Sequence, residues 1–318
     1  MNPIREKTEY MLLYGLMGLL KRLPDRLIEV FFRLFGAAFF LLSFRRRHLA
    51  LRNLKIAFPE KTSGERLGIA WRAFRNMAIF TGDSFRVLAG KLTPEQILAM
   101  VDGAEIEKYK AMRAGAAGRG VIHLTGHLGN WELIADYAAI CGYESNIVAR
   151  QGTNRLIDEK IVVPLRTRYG NRISYKKNAL LFTGKSLRRG EAVAFLIDQK
   201  INPRDGVPVQ FFNREVLAVA SCAALQTRFN PLVVPVFMIR TGGKQYKLLV
   251  GDAVEWTNDG SPQEEQIQKL TQRYQTIIED TVRAYPDQWF WMHNRFKLMD
   301  VGTRRRNRRA RRRKAATK

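Results

Sequence analysis

The segment at residues 120–140 constrains the fold of this 318-residue chain more than any other, because its pattern predicts a strand, a turn and a helix in immediate succession. Residues 121–124 form a mostly apolar run next to a glycine, which predicts a short buried strand. Gly126 and Gly129 end that strand, and Asn130 is a favourable N-cap for the amphipathic run that follows. A strand that leads directly into a helix is a building unit of α/β folds.

The predicted turn carries a candidate acid–base pair, His127 and Glu132. On one regular helix, side chains five residues apart point about 140° away from each other, but across a turn they can converge. A histidine can take a proton from a hydroxyl while a carboxylate fixes its tautomer. Backbone N–H groups of residues 129–131 are candidates for stabilising an oxyanion. The spacing alone leaves open a strand-to-helix corner with no catalytic role.

Downstream of this unit the predicted strands and helices alternate, which favours a mostly parallel central sheet with helices on both faces. The predicted strands are residues 145–149, 172–175, 192–197, 232–239 and 245–250, and the predicted helices are residues 153–169, 178–189, 216–228 and 262–284. Upstream, to about residue 115, the pattern predicts mainly helices. The fold class expected is therefore α/β.

Residues 8–58 are predicted to face a membrane. Two apolar helices rich in phenylalanine are separated by a basic turn at residues 21–24 and followed by Arg45-Arg46-Arg47. Apolar helices flanked by cations are typical of an interfacial or partly inserted anchor on an anionic leaflet. The uninterrupted apolar stretch of about 18 residues that a spanning helix needs is lacking. A helical hairpin packed on the soluble core is the alternative, and the two interpretations are compatible.

The net charge of +25 demands an anionic partner or surface. Residues 304–318 contain eight arginines and two lysines with no acid, and the rest of the chain keeps +15 once those ten charges are removed. The two cysteines, Cys141 and Cys222, lie in apolar helical patterns and are expected to be free thiols. No metal-ligand spacing, P-loop or dinucleotide fingerprint occurs, so no metal and no cofactor are expected.

Four sequence blocks resemble the signatures of one family. Residues 126–132, Gly-His-Leu-Gly-Asn-Trp-Glu, resemble the His-x4-acid motif of the bacterial late acyltransferases of lipid A biosynthesis, within the lysophospholipid acyltransferase superfamily. Three further blocks resemble that family in the same order, namely residues 52–60, 197–199 and 285–297. The resemblance implies a glycerol-phosphate-acyltransferase-like fold, with His127 as the general base and Glu132 as the residue that orients it.

The resemblance also implies substrate-binding residues. Asp198 and Gln199 follow a predicted buried strand, at the edge where open α/β sheets bind ligands, although an aspartate there can also simply begin a loop. Arg166 matches the family's Arg-x-Arg pattern, and a guanidinium can bind phosphate bidentately. The alternative for Arg166 is a solvated surface arginine. Gly129 and Asn130 complete the expected binding set.

The activity implied is transfer of a fatty acyl group from a thioester to a hydroxyl of a lipid A precursor, with acyl-acyl carrier protein as the expected donor. The place implied is the cytoplasmic face of the inner membrane. Two alternatives stay open: acylation of another glycolipid or a mannoside, and nucleic-acid binding through the Arg-rich tail. Nucleic acid is the less favoured partner, because the tail lacks aromatic residues for base stacking.

Three regions are expected along the chain. Residues 1–58 would form membrane-associated helices, residues 59–300 the acyltransferase α/β domain, and residues 301–318 a disordered Arg-rich tail that adheres to anionic lipid.

Overall fold

The computed structural model describes residues 3–116, 118–149, 151–175, 179–202, 206–243 and 245–296, and the Arg-rich tail lies outside this part of the chain. Its central sheet has seven strands in the order β1-β9-β8-β2-β5-β3-β4, parallel throughout except for the β8–β9 pair. The strands are β1 (Val101–Asp102), β2 (Val121–Thr125), β3 (Ser145–Ala149), β4 (Arg172–Tyr175), β5 (Ala192–Leu196), β8 (Leu232–Gly242) and β9 (Gln245–Val250). The prediction of a mostly parallel sheet is confirmed.

Helices cover both faces of this sheet. The helices of the described residues are α1 (Pro3–Arg22), α2 (Asp25–Leu42), α3 (Phe44–Ala57), α4 (Ser63–Leu88), α5 (Pro94–Ala99), α6 (Ile106–Gly115), α7 (Trp131–Ile140), α8 (Arg155–Ile157), α9 (Val163–Thr167), α10 (Ala179–Arg188), α11 (Ser221–Phe229) and α12 (Gln263–Ala284). A π-helical turn (Asp158–Val162) joins α8 to α9. A capping box at Thr93 begins α5, and one at Thr62 begins α4.

Two apolar layers lie on opposite faces of the sheet, and β2 contributes to both. Ile122 and Leu124 pack into the layer shared with α11 and α12, whereas Val121 packs into the layer shared with α5, α6 and α7. This alternation follows from the two-residue period of a strand. Strand β2 is the fourth of the seven strands and is fully buried, so the turn that follows it starts from the middle of the sheet.

Two predicted helices are wrong. Residues 153–169 are divided into α8, the π-helical turn and α9. Residues 216–219 belong to a separate antiparallel hairpin, β6 (Gly206–Phe211) and β7 (Arg214–Val219), and α11 begins only at Ser221. The hairpin turn consists of Phe212 and Asn213, both at positive φ (51° and 54°), as a two-residue type I′ turn requires. Residues 216–219 have a helical sequence pattern, but pairing with β6 makes them a strand.

The N-terminal helices expose most of the large apolar side chains that are exposed in the described residues. Of eighteen such residues, thirteen lie in α1 and α2, and a fourteenth is Phe44, the first residue of α3. The opposite face of α2 packs against α4 and buries Ile28, Phe32 and Phe40. Among the described helices none is by itself long and apolar enough to cross a membrane, and α2 and α3 meet that criterion only as a pair bent by 84°.

Candidate active site

The turn between β2 and α7 is held rigidly by backbone contacts. Gly129 has φ +61°, and a Cβ built on it would lie 1.9 Å from the carbonyl oxygen of Met238. Only glycine fits such an approach at positive φ. Asn130 caps α7, because its side-chain oxygen accepts a hydrogen bond from the backbone N–H of Leu133 at 3.2 Å. The predicted cap is confirmed, and the turn fixes the position of His127 at the end of the central strand.

Asp198 is the carboxylate that contacts His127. His127 Nδ1 lies 2.7 Å from Asp198 Oδ1, and the His127 backbone N–H donates to Asp198 Oδ2 at 2.7 Å. The indole N–H of Trp289 also donates to Oδ2 at 2.7 Å. Burial alone would raise the pKa of the Asp198 carboxyl, but the charge and hydrogen bonds of His127 and the indole lower it to about 2. Asp198 is therefore an ionised, almost fully buried acceptor beside the imidazole.

The contact expected between Glu132 and His127 is not the one that forms, which corrects the sequence prediction. Arg166 donates to both Glu132 oxygens, from Nε at 2.9 Å and from an Nη at 2.5 Å, and the Trp131 indole donates a third hydrogen bond at 3.2 Å. Burial would raise the pKa of Glu132, but the bonds and charge of Arg166 lower it. As the second residue of α7, Glu132 faces the α9 arginine, whose fork satisfies the carboxylate.

Two of the three backbone N–H groups predicted to stabilise an oxyanion, those of Gly129 and Asn130, donate to other groups of the protein. The backbone N–H of Gly129 donates to the carbonyl of Gln288 at 3.0 Å, and that of Asn130 donates to the carbonyl of Met238 at 2.8 Å. Both groups serve to fix the turn. The Asn130 side chain is buried as the helix cap, so Gly129 and Asn130 support the site rather than line it.

A cavity of about 330 Å³ opens beside His127 and runs between the sheet and α7. Strand residues at alternate positions form one wall, with His123 and Thr125 from β2 beside Ala194 and Leu196 from β5. Most of the remaining lining is apolar and comes from Ile134, Ala135, Ala138, Ile147, Val148, Ala149, Ile201, Val219 and Val236. The other polar lining residues are Ser145, which contacts His123, and Glu132, Arg166, Gln199 and Lys200.

Along the cavity, β2 carries a second histidine four residues before His127. His123 Nε2 lies 2.7 Å from the Tyr109 hydroxyl, and Nδ1 lies 3.0 Å from the Ser145 hydroxyl. Burial, reinforced by the positive charge of Arg113, lowers the pKa of His123 to about 4. His123 is thus a neutral histidine with a partner at each ring nitrogen.

The block at residues 285–297, here called the C-terminal signature, packs against both the site and the block at residues 52–60. Asn53 of α3 donates to the carbonyls of Trp291 and His293, at 2.8 and 2.6 Å. His293 in turn accepts a hydrogen bond from the backbone N–H of Lys200 at 2.7 Å. Three blocks that are far apart in the sequence therefore meet around the loop that follows Asp198.

Of the predicted site residues, His127, Glu132, Arg166 and Gln199 line the cavity, and Asp198 lies directly behind His127. Sequence reasoning missed Thr125, and it assigned Trp289 no contact with Asp198. The only available signal for Trp289 was its place in the C-terminal signature. In the part of the chain that the structure describes, no three His, Cys, Asp or Glu side chains are grouped so as to hold a metal ion.

Comparison with known proteins agrees with the sequence resemblance. The family described as bacterial lipid A biosynthesis acyltransferase matches residues 3–298. Three relatives come from Escherichia coli (strain K12). The lipid A biosynthesis palmitoleoyltransferase is 25% identical over 260 residues, and the lauroyltransferase is 26% identical over 265 residues; each match covers 81% of both proteins. The myristoyltransferase is 25% identical over 269 residues, which are 82% of this chain and 77% of the relative.

Proposed function

Because this chain belongs to the bacterial lipid A biosynthesis acyltransferase family, we propose that it transfers a fatty acyl group from a thioester to a hydroxyl of a lipid A precursor, with His127 as the general base. The observation that carries this proposal is the His127–Asp198 pair beside a cavity whose lining residues are mostly apolar. Such a cavity suits a hydrocarbon chain whose reactive end stays near the base.

Asp198 orients the base in this mechanism. Since the ionised carboxylate accepts a hydrogen bond from Nδ1–H, Nε2 is the nitrogen that can receive the proton of the acceptor hydroxyl. The attacking oxygen then bonds to the thioester carbonyl carbon, and the resulting imidazolium is stabilised by Asp198. When the tetrahedral intermediate collapses, the C–S bond breaks and His127 returns the proton to the leaving thiolate.

Glu132 and Arg166 serve the substrate in a different way. Their side chains are 22% and 23% exposed, so the pair is accessible from the cavity mouth. We infer that Arg166, kept in place by Glu132, offers its remaining N–H donors to an anionic group of the acceptor or donor. Gln199, whose backbone carbonyl accepts a hydrogen bond from Arg295 at 3.2 Å, supplies an amide at the same mouth.

The donor proposed is acyl-acyl carrier protein. The chain carries a net charge of +25, and such a charge speeds the association of an acidic carrier by electrostatic steering. A phosphorylated glycolipid acceptor gains from the same field. Coenzyme A thioesters offer the same reactive group, so the two donors are compared in the assay below.

The surface proposed for the membrane is the exposed apolar face of α1 and α2. It is flanked by the cations of residues 21–22 and 45–47, and basic residues near an anionic leaflet each contribute about 1 kcal/mol. Helix α1 is also tied to α8, which leads through the π-helical turn to α9 and Arg166, because Glu6 accepts hydrogen bonds from the backbone N–H groups of Arg155 and Leu156. We infer that the protein acts at the cytoplasmic face of the inner membrane, where a lipid acceptor can enter beside α1.

The activity is tested by following labelled acyl groups from acyl carrier protein, and separately from coenzyme A, to purified lipid A precursor and to a mannoside glycolipid. The wild-type protein should acylate the lipid A precursor, and His127→Ala should lose at least about 10²-fold in kcat. His48→Ala, on the exposed surface of α3, is the matched control and should retain activity. Product on the mannoside alone would replace the acceptor and keep the chemistry.

Membrane attachment is tested with anionic vesicles. Replacing Leu34 and Phe35, which are 65% and 50% exposed on α2, with aspartate should abolish co-sedimentation. Leu67→Asp on α4, where the leucine is 46% exposed, should leave co-sedimentation unchanged. Equal binding by both variants would exclude the α2 face as the membrane surface.

A further inference from the structure

The hydroxyl of Thr125 is an unusual group in the wall of the catalytic cavity. Thr125 is 4% exposed, it lines the cavity, and its Oγ1 has no hydrogen-bond partner among the described residues. Its backbone carbonyl accepts a hydrogen bond from the N–H of Ile197 at 3.1 Å. Burying a hydroxyl without a partner is costly, so a threonine at this place calls for a reason.

The position of Thr125 places its side chain next to the reaction. It is the last residue of β2, two before His127 and two after His123, and it pairs with Leu196 in the sheet. Alternate strand residues share a face, which explains why His123 and Thr125 both line the same cavity wall. The orphan hydroxyl is therefore in the cavity wall just behind the turn that carries the proposed base.

Acyl transfer requires a hydrogen-bond donor at the thioester carbonyl oxygen. Attack on a thioester converts its carbonyl oxygen into an oxyanion, and preorganised donors stabilise that charge. The amides of Gly129 and Asn130 already donate to carbonyls of Gln288 and Met238. The Arg166 guanidinium donates to Glu132 from Nε and one Nη, and its remaining donors are assigned above to an anionic group of the substrate. A buried hydroxyl with its hydrogen uncommitted meets the requirement.

We propose that Thr125 is a catalytic residue whose hydroxyl donates a hydrogen bond to the thioester carbonyl oxygen. The inference rests on the acyl-transfer function proposed above. As the acceptor oxygen bonds to the carbonyl carbon, the π electrons move to the carbonyl oxygen and the Thr125 hydrogen bond strengthens. Thr125 keeps its proton throughout, because His127 takes the acceptor's proton and passes it to the thiolate when the C–S bond breaks.

The test compares Thr125→Val, which keeps the side-chain shape and removes the hydroxyl, with Thr125→Ser, which restores a hydroxyl. The matched control is Ser174→Ala. Ser174 also has a buried Oγ without a partner among the described residues, but it does not line the cavity. Each protein is assayed for kcat and KM with acyl-acyl carrier protein and lipid A precursor, and for thermal unfolding.

Thr125→Val should lower kcat by about 10²–10³-fold, as the loss of one oxyanion donor does, with KM changed less than about threefold. Thr125→Ser should recover most of kcat, Ser174→Ala should match the wild type, and Tm of Thr125→Val should not fall. The inference is overturned if Thr125→Val retains wild-type kcat, raises only KM, or loses activity together with Tm without rescue by serine. If the wild-type protein forms no product on any acceptor, the proposed function itself fails, and this inference fails with it.

Discussion

His123 and His127 lie four residues apart on the same strand and turn, yet their surroundings give them different chemistry. His123 Nδ1 meets the Ser145 hydroxyl, and burial lowers its pKa to about 4. His127 Nδ1 meets the ionised carboxylate of Asp198, and its side chain is 22% exposed at the cavity mouth. A neutral hydroxyl can only satisfy an imidazole, whereas a carboxylate can also stabilise its charged form. The partner of Nδ1 therefore distinguishes His123, a structural histidine, from His127, the proposed base.

The largest effect expected is the loss of the base itself. His127→Ala should lower kcat by about 10²–10⁴-fold, because general-base assistance is removed. His123→Gln keeps a hydrogen-bonding group between Tyr109 and Ser145 and should lower kcat less than about tenfold. Acyl transfer to the lipid A precursor is the measurement. Equal losses in the two variants would abolish the distinction between the histidines.

The second prediction concerns the partner of the base. Asp198→Asn should lower kcat by about 10²-fold or more, because an amide cannot stabilise the imidazolium and its NH₂ favours the wrong tautomer at Nδ1. Circular dichroism and Tm serve as controls for folding. Wild-type kcat in this variant would show that the carboxylate is dispensable and that it does not account for the difference between His123 and His127.

The third prediction uses pH to sharpen the contrast. The folded-state pKa of His123, about 4, lies below its ordinary value of 6.5, so the unfolded chain binds the additional proton between these values. Stability from His123 is therefore present above pH 6.5 and is lost as pH falls toward 4. The stability of wild type relative to His123→Gln should fall by about 3 kcal/mol across this window.

Taking the difference between the two proteins is necessary, because other groups titrate in the same range. Burial lowers the pKa of His293 to about 4, and it raises that of Asp136 to about 8, where Glu132 adds to the effect. Both contributions are shared by wild type and variant, so they cancel. Urea unfolding at pH 4.5, 5.5 and 7 gives the curve, and a flat difference would contradict a buried neutral His123.

The smallest effect is expected for the other carboxylate of the site. Glu132→Gln weakens the hold on Arg166 and leaves the His127–Asp198 pair intact, so kcat should fall less than about tenfold and KM should rise. Arg166→Gln should behave in the same way, since both changes break one ion pair. A loss in Glu132→Gln as large as in Asp198→Asn would restore Glu132 as the residue that orients the base.

The sequence predicted the parts of this site better than their pairing. The strand, the turn and the cap at Asn130 follow from local patterns, and the structure confirms them. The partner of His127 depends on β2 and β5 being neighbours in the sheet, which spacing along the chain does not reveal. Proximity in sequence favoured Glu132, whereas sheet order places Asp198 beside the histidine.

Two other features could not be predicted from the sequence, namely the reason for a glycine at position 129 and the unpartnered hydroxyl of Thr125. Gly129 is required by the carbonyl of Met238 on β8, about 110 residues later in the sequence. Thr125 gave no signal in a strand-forming run, since threonine is common in strands. The predicted helix over residues 216–228 was wrong at its start, because residues 216–219 pair with β6 as the second strand of a hairpin. The turn of that hairpin has two residues at positive φ, which the helical pattern did not reveal.

The most direct test of the account is a double-mutant cycle in kcat between His127 and Asp198. The account predicts that His127→Ala with Asp198→Asn is no slower than His127→Ala alone, because the carboxylate acts only through the imidazole and residues that act as a unit are not additive. Losses that multiply in the double variant would contradict it, since Asp198 would then contribute to catalysis independently of His127.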